Sequence, residues 1–398
     1  MTAPWLKDND IRLLINGNDY YSRVFDSIRR ARQRVLIETF IICDDVVGRA
    51  LRQVLMDASQ RGVRIDVTVD GYGTADLPLH FIEPMTSAGV HLHVFDPQPR
   101  WMGMRTNLFR RLHRKLVVID GRRAFVGGLN YCADHLDESG PKAKQDYAVE
   151  VTGPVVAQVQ SCCLRLLNEQ ASNQTSALDG HSPGRAWARL LDRDNHHHTD
   201  AIEDQYLAAL RTARFRVMIA NAYFFPGYRL LRELCNAARR GVQVTLILQG
   251  QPDMRWVRTF SRLLYNYLLR DGVRIFEYCR RPLHGKVALV DDEWSTVGSS
   301  NLDPLSLALN LEANLFICDG AFNKQLRDHL HELIDHHCKR ITLERMIRGY
   351  WWRAPLIFLC FHCIRHFPKI AGWLPAHKQY LHPVAPRASH VDCREGNH

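Results

Sequence analysis

The sequence predicts an α/β fold of two related lobes, each a mixed β-sheet flanked by helices, with the functional site at a pseudo-two-fold interface between them. Three observations predict it. RLHRKLVVIDGRRAFVGGLN at 111–130 returns, altered, as PLHGKVALVDDEWSTVGSSN at 282–301. Upstream of each copy, a strand-like run, a helical pattern and a second strand-like run follow in the same order. Strands alternating with helices imply a sheet with helices packed on its faces. The repeat is also too long for a solenoid, whose unit runs about 20–50 residues.

The elements follow in order. RVLIETFI (34–41) and RVMIANAYFF (216–225) are rich in β-branched and aromatic residues and read as buried strands. VGRALRQVLMDASQRG (47–62) and YRLLRELCNAARRG (228–241) carry apolar residues at three- and four-residue steps and stop at glycine, a helix terminator. RGVRIDVTVDG (61–71) answers RGVQVTLILQG (240–250) as the next strand. The resulting organisation is a first lobe at 1–167 with its motif at 108–135 and a polar, turn-rich linker at 168–200. A second lobe follows at 201–340 with its motif at 278–305, then an apolar and aromatic segment with a tail at 341–398. His196, His197 and His198 fall in the linker and read as a solvated loop rather than a metal site.

Composition narrows the class. Hydrophobic content of 46% with 24% charge is globular, and a formal charge of +10 predicts an anionic partner. The 11 cysteines are scattered and no secretory signal is visible, so they are expected to be reduced thiols. Cys360 and Cys363 have CxxC spacing but no second pair, which does not make a zinc site. APLIFLCFHCI (354–364) is too short for a transmembrane helix, which needs about 20 apolar residues.

Within the repeated motif the polar residues persist while their neighbours diverge. His113/His284, Lys115/Lys286, Asp120/Asp291 and Asn130/Asn301 all agree at one spacing of 171 residues. Packing alone does not require these side chains. Read as a strand, LHRKLVVID points His113 and Lys115 to one face, with Asp120 at its end. If the lobes meet about a pseudo-two-fold axis, two imidazoles, two lysines and two asparagines surround one cationic pocket suited to a phosphodiester. One imidazole can attack phosphorus while the other protonates the leaving oxygen, with the lysines neutralising the transition state. No metal or other cofactor is called for, since the protein supplies the positive charge.

HxKxxxxD followed by Gly128 or Ser299 and an asparagine, twice in one chain, resembles the phospholipase D superfamily. That resemblance implies a phosphohistidine intermediate, with His113, Lys115, Asp120, His284, Lys286 and Asp291 as catalytic residues and His113 as nucleophile. It also implies that a downstream carboxylate from each lobe orients the histidine of the other. Asp146 in QDYAVEV and Glu312 in LEANLFI fit that role, Glu312 for His113 and Asp146 for His284. Longer stretches, among them ANAYFFPGYRLLREL and VGSSNLDPLSLALNLEANL, are similar to the short, B-type bacterial cardiolipin synthases. The implied reaction transfers a phosphatidyl group from phosphatidylglycerol to a second phosphatidylglycerol, giving cardiolipin and glycerol.

A membrane setting has support of its own. Residues 100–123 hold eight Lys or Arg and one acid, interleaved with Trp101, Met102, Met104, Leu108 and Phe109. Residues 348–375 place Trp351, Trp352 and Trp373 around an apolar core, a pattern of interfacial anchoring that also fits a helix closing the domain core. The expectation is a peripheral enzyme on the cytoplasmic face of the cell membrane, acting on phospholipids at an anionic surface, with no nucleic acid as partner. The tail after Pro375, with HPVAPRASHVDCREGNH, is expected to be disordered. A lipid hydrolase, a nuclease of the same superfamily and a non-catalytic membrane module are the rival readings.

Overall fold

The computed structural model describes residues 3–97, 100–101, 104–105, 110–169, 184–194, 198–251, 264–343 and 380–385. The first lobe opens with strand β1 (Leu6–Ile15) and helix α1 (Asn16–Arg30), whose buried Tyr20, Tyr21, Val24, Phe25 and Ile28 recur every three or four residues. β2 (Arg34–Thr39), α2 (Val46–Gln60), β3 (Arg64–Asp70), α3 (Leu79–Ser87) and β4 (His91–Phe95) alternate as expected. A separate short hairpin, β5 (Arg100–Trp101) with β6 (Met104–Arg105), precedes β7 (Leu116–Ile119), β8 (Arg123–Gly127), β9 (Tyr147–Thr152) and α4 (Val156–Leu166).

The second lobe repeats the plan. It runs β10 (Ala186–Arg193), α5 (Ala201–Thr212), β11 (Arg216–Asn221), α6 (Tyr228–Arg239), β12 (Gln243–Gln249), β13 (Arg274–Tyr278), β14 (Lys286–Val290) and β15 (Trp294–Gly298). Then come the short α7 (Pro304–Ala308), β16 (Glu312–Cys318), α8 (Gly320–His337) and β17 (Cys338–Ile341). Both predicted glycine stops close their helices: Gly62 and Gly241 sit at φ 86° and 91°, a region that costs other residues strain.

The lobes join edge to edge into one 16-stranded sheet, β17-β13-β12-β11-β14-β15-β16-β10-β1-β9-β8-β7-β2-β3-β4-β18, where β18 is Leu381–Pro383. Read outward from the antiparallel β1–β10 junction, the two halves match strand for strand. Two boundaries therefore differ from expectation. Ala186–Arg193, inside the expected linker, is the counterpart of β1, because its alternate side chains are buried against the sheet. Leu381–Pro383, on the expected disordered tail, pairs with β4 and supplies the first lobe with its outer strand. The tail thus masks an edge that would otherwise be open.

Burial explains the layering. The parallel trio β2, β3, β4 and its counterpart β11, β12, β13 are largely buried; β12 (QVTLILQ) reads as a nearly continuous apolar run, whereas β3 (RIDVTVD) alternates, with Asp66, Thr68 and Asp70 buried on its second face. On one side, α1–α3 cover the first half and α5–α6 the second, each over its own core. On the other side a single core spans both lobes, from Leu36 and Val118 through Leu190 to Leu289 and Leu330, under α4 and α8.

A further correction concerns the cysteines. Cys43 and Cys132 form a disulfide, whereas the other described cysteines are free. Spacing gave no hint of the pair, which lies 89 residues apart in sequence and meets only because the loop after β2 packs on the loop after β8. The segment 348–375, Cys360, Cys363, His196, His197 and the whole 100–109 stretch lie outside the described side chains. Among the described residues no helix is long and apolar enough to cross a membrane.

Candidate active site

The site lies where β7 and β14 begin. β7 is antiparallel to β2, so its start meets the C-terminal end of β2; β14 meets the end of β11 in the same way. The open ends of parallel strands are where α/β sheets commonly bind ligands. The histidines themselves precede the strands. His113 and Lys115 were expected within one, but β7 begins at Leu116. The reason is that the backbone here bonds across the lobe boundary. His113 N donates to Leu311 O at 2.9 Å, and His284 N donates to Gln145 O at 2.8 Å. Each histidine is thus docked by backbone beside the carboxylate of the opposite lobe.

Those carboxylates complete two dyads. Glu312 lies 2.9 Å from His113 Nδ1, and Asp146 lies 2.5 Å from His284 Nδ1. This is the crossed pairing read from the sequence. Both carboxylates are fully buried, and both rings are largely so. Their supports differ. Ser299 Oγ donates to Glu312, whereas its equivalent Gly128 leaves room for Asp146, whose Oδ1 would sit 2.4 Å from an added Cβ.

Lys115 and Lys286 stand beside the rings. Lys115 Nζ donates to His113 O at 2.7 Å, and Lys286 Nζ donates to His284 O and lies 3.0 Å from His284 Nδ1. Burial, with the other lysine adding, lowers Lys115 to about 7, against the pull of Glu312 and Asp146; burial lowers Lys286 to about 8. Burial, then Lys115 and Lys286, hold His113 below the usual imidazole range despite Glu312. Burial, Lys286, Lys144, Lys115 and His113 together push His284 well below it. Burial alone would raise the Glu312 carboxyl, but His113, Lys115 and Ser299 hold it below the ordinary value. That His113 and Lys115 both depress His284 places the groups of both lobes in one electrostatic neighbourhood.

Asn130 and Asn301 are buried, and the Oδ1 of each has no protein hydrogen-bond partner. Asp120 and Asp291 are a correction. They sit at the far ends of β7 and β14 in left-handed turns, φ 52° and 51°, away from the imidazoles. Asp120 accepts from the backbone N–H groups of Arg32, Gln33 and Arg34, and Asp291 from those of Arg214, Phe215 and Arg216. They tie the strand ends to the turns before β2 and β11, so their recurrence reflects the fold's repeat, not contact with a reacting group.

Other residues at the site went unread in the sequence. Phe40 lays its ring edge-on to His113, 5.1 Å between centroids. Asp70 and Gln249, equivalent in the RGV repeats, hold the backbone just before each histidine: Asp70 accepts from Leu112 N at 2.7 Å, and Gln249 bonds both N and O of Leu283. That equivalence was a usable signal. His135 is fully buried beside Asp146 and His284. Comparing the halves could not find it, because Ser306 stands at the equivalent position.

The comparisons with known proteins agree with this architecture. The family described as cardiolipin synthase, PLD-like domain, matches residues 24–161 and 206–334. The cardiolipin synthase B proteins of Salmonella typhi and Escherichia coli (strain K12) are each 52% identical over 394 residues, 98% of this chain and 95% of theirs. The crystal structure of phosphatidylserine synthase from Haemophilus influenzae Rd KW20 shares the fold, with a TM-score of 0.67 at 14% identity over 93% of this chain and 96% of that one. Two matched lobes with crossed His–carboxylate pairs, and near full-length identity above one half, place this chain in the cardiolipin synthase family of the phospholipase D superfamily.

Proposed function

We propose that this protein is a cardiolipin synthase that transfers a phosphatidyl group from one phosphatidylglycerol to another, releasing glycerol. The observation that carries the reading is the pair of imidazoles from opposite lobes, each with Nδ1 on a carboxylate of the other lobe. A carboxylate on Nδ1 holds the proton there and leaves Nε2 as the reacting nitrogen. His113, held neutral by burial and lysine charge, attacks phosphorus through Nε2. The P–O bond to the departing glycerol breaks as His284, entering the step as an imidazolium with its Nδ1–H on Asp146, gives its Nε2 proton to that oxygen and is left neutral with Nε2 free. His284 then takes the proton of the incoming hydroxyl, which attacks the phosphohistidine and frees His113. Lys115 and Lys286 neutralise charge on the non-bridging oxygens, and the amides of Asn130 and Asn301 offer further polar contacts.

The protein works at a membrane surface in this reading, since both substrates are lipids. Val46, Leu79 and Tyr228 support it. Each is an exposed apolar first residue of a helix that follows a strand ending at the site, and the helices that Val46 and Tyr228 open, α2 and α6, are counterparts in the two lobes. The sequence patterns at 100–123 and 348–375 point the same way. The test is purified protein on phosphatidylglycerol vesicles, with products identified by mass spectrometry and bound protein measured by co-sedimentation. Cardiolipin with equimolar glycerol is expected. Phosphatidic acid as the main product would overturn the reading in favour of a hydrolase.

A further inference from the structure

We propose that His135 is a positioning residue that acts through Asp146 to set the acidity of His284, making the two His–carboxylate dyads chemically unequal. The inference rests on the proposed phosphatidyl transfer. Its geometry is independent of which alcohol accepts.

His135 is 0% exposed and its ring lies edge-on to His284, 5.5 Å between centroids. Its Nε2 accepts a hydrogen bond from Asn130 N at 3.4 Å, so the proton of the neutral ring belongs on Nδ1. That Nδ1 has no hydrogen-bond partner and lies 3.7 Å from Asp146 Oδ2, the same oxygen that His284 holds at 2.5 Å. Such contacts are often long in an empty site and tighten when substrate binds. That oxygen thus stands between two imidazoles, bonded to His284 and faced at 3.7 Å by the unpartnered Nδ1 of His135. A donor on that oxygen spreads its charge and weakens its hold on the His284 proton.

The other dyad lacks this device. Glu312 takes a serine hydroxyl, and nothing imidazole-like stands at position 306. His284 faces Asp146, Lys286, Lys144, Lys115, His113 and His135; His135 faces Asp134, Asp146, His284, Lys144 and Lys286. With lysines on several sides, the three close donor groups handle a proton rather than a metal cation. A stronger acid at His284 suits the step in which it must release its proton to the leaving oxygen.

The test compares two near-isosteric variants. H135N keeps a donor at the Nδ1 position and so keeps the Asp146 arm; H135Q keeps the Nε2 arm toward Asn130 and drops the other. Wild-type product identity is recorded first, which tests the proposed transfer by itself. The variants are then read as ratios of whatever phosphoryl transfer the wild type catalyses. H135N is expected to hold kcat within about threefold. H135Q is expected to lose about tenfold or more in kcat at little change in KM, in line with losses on removing outer supporting groups. In H135Q the His284 imidazole, followed by NMR and assigned with H284N, titrates about half a unit or more higher. Equal kcat and equal His284 titration in both variants, or H135Q outperforming H135N, overturns the proposal.

Discussion

Each histidine rests its Nδ1 on a buried carboxylate, so small changes beside that oxygen reach the reacting nitrogen. Gly128 shows the tolerance. An added methyl would meet Asp146 Oδ1 at 2.4 Å and force the carboxylate off His284. G128A is expected to lower kcat about tenfold or more while the protein stays folded, since misplacement near the chemistry is costly; near-wild-type kcat would contradict this. The lysines set the pH dependence. Their pKa values are lowered in the folded protein, to about 7 for Lys115 and about 8 for Lys286, so their charge is present below that window and lost as pH rises through it. kcat/KM is therefore expected to fall between about pH 7 and 9 and to hold better on the acid side, since burial and the lysines keep His113 below the usual imidazole range. A profile flat to pH 10 would contradict it. At this scale the sequence was legible where two copies could be compared. His113, Lys115, Glu312 and their partners stood out. Asp120 and Asp291 stood out equally, because a turn that recurs in both lobes preserves its capping residue as firmly as a site does. His135 and Phe40 have no polar twin and stayed hidden.

Among the elements, the start of β7 carries a charge the other lobe does without. Arg114 and Glu38 form an ion pair at 2.8 Å with side chains 4% and 2% exposed, and Asp192 of β10 lies 3.6 Å from the same guanidinium. In the second lobe Gly285 and Ala220 stand in their places, with the Tyr147 ring filling the space. The fold therefore accepts an apolar solution at this position. R114M alone is expected to cost about 3–5 kcal/mol in urea unfolding, because it strands a buried carboxylate, and adding E38M is expected to recover most of that. No recovery in the double variant would show that the pair is not an isolated unit. Helices α2 and α6 were readable from apolar spacing and glycine stops. The strand reading of 112–120 failed at its first half, since long-range bonds to Leu311 outcompete the local pattern. β10 was masked by the polar, turn-rich segment around it.

Over the whole molecule, the two lobes share a core. Leu36, Val118, Leu190, Leu289 and Leu330 belong to one apolar cluster under α4 and α8, and the sheet runs unbroken through β1 and β10. Calorimetry is expected to give one unfolding transition, and two separated transitions would contradict a shared core. The duplication made the two-lobe plan visible in the sequence. The edge-to-edge joining was not, because strand order depends on contacts between distant segments. The account's central claim is that imidazoles from the two lobes act on one phosphorus atom, with His113 forming the covalent bond. Acid-stable trapping is unsuited to a phosphoramidate, so the direct measurement is alkaline quenching of enzyme turning over phosphate-labelled phosphatidylglycerol, followed by peptide mapping. The account predicts label on the His113 peptide in the wild type, slower to appear and slower to disappear in H284N, and none in H113N. Label elsewhere, or an H113N protein that turns over at the wild-type rate, would contradict it.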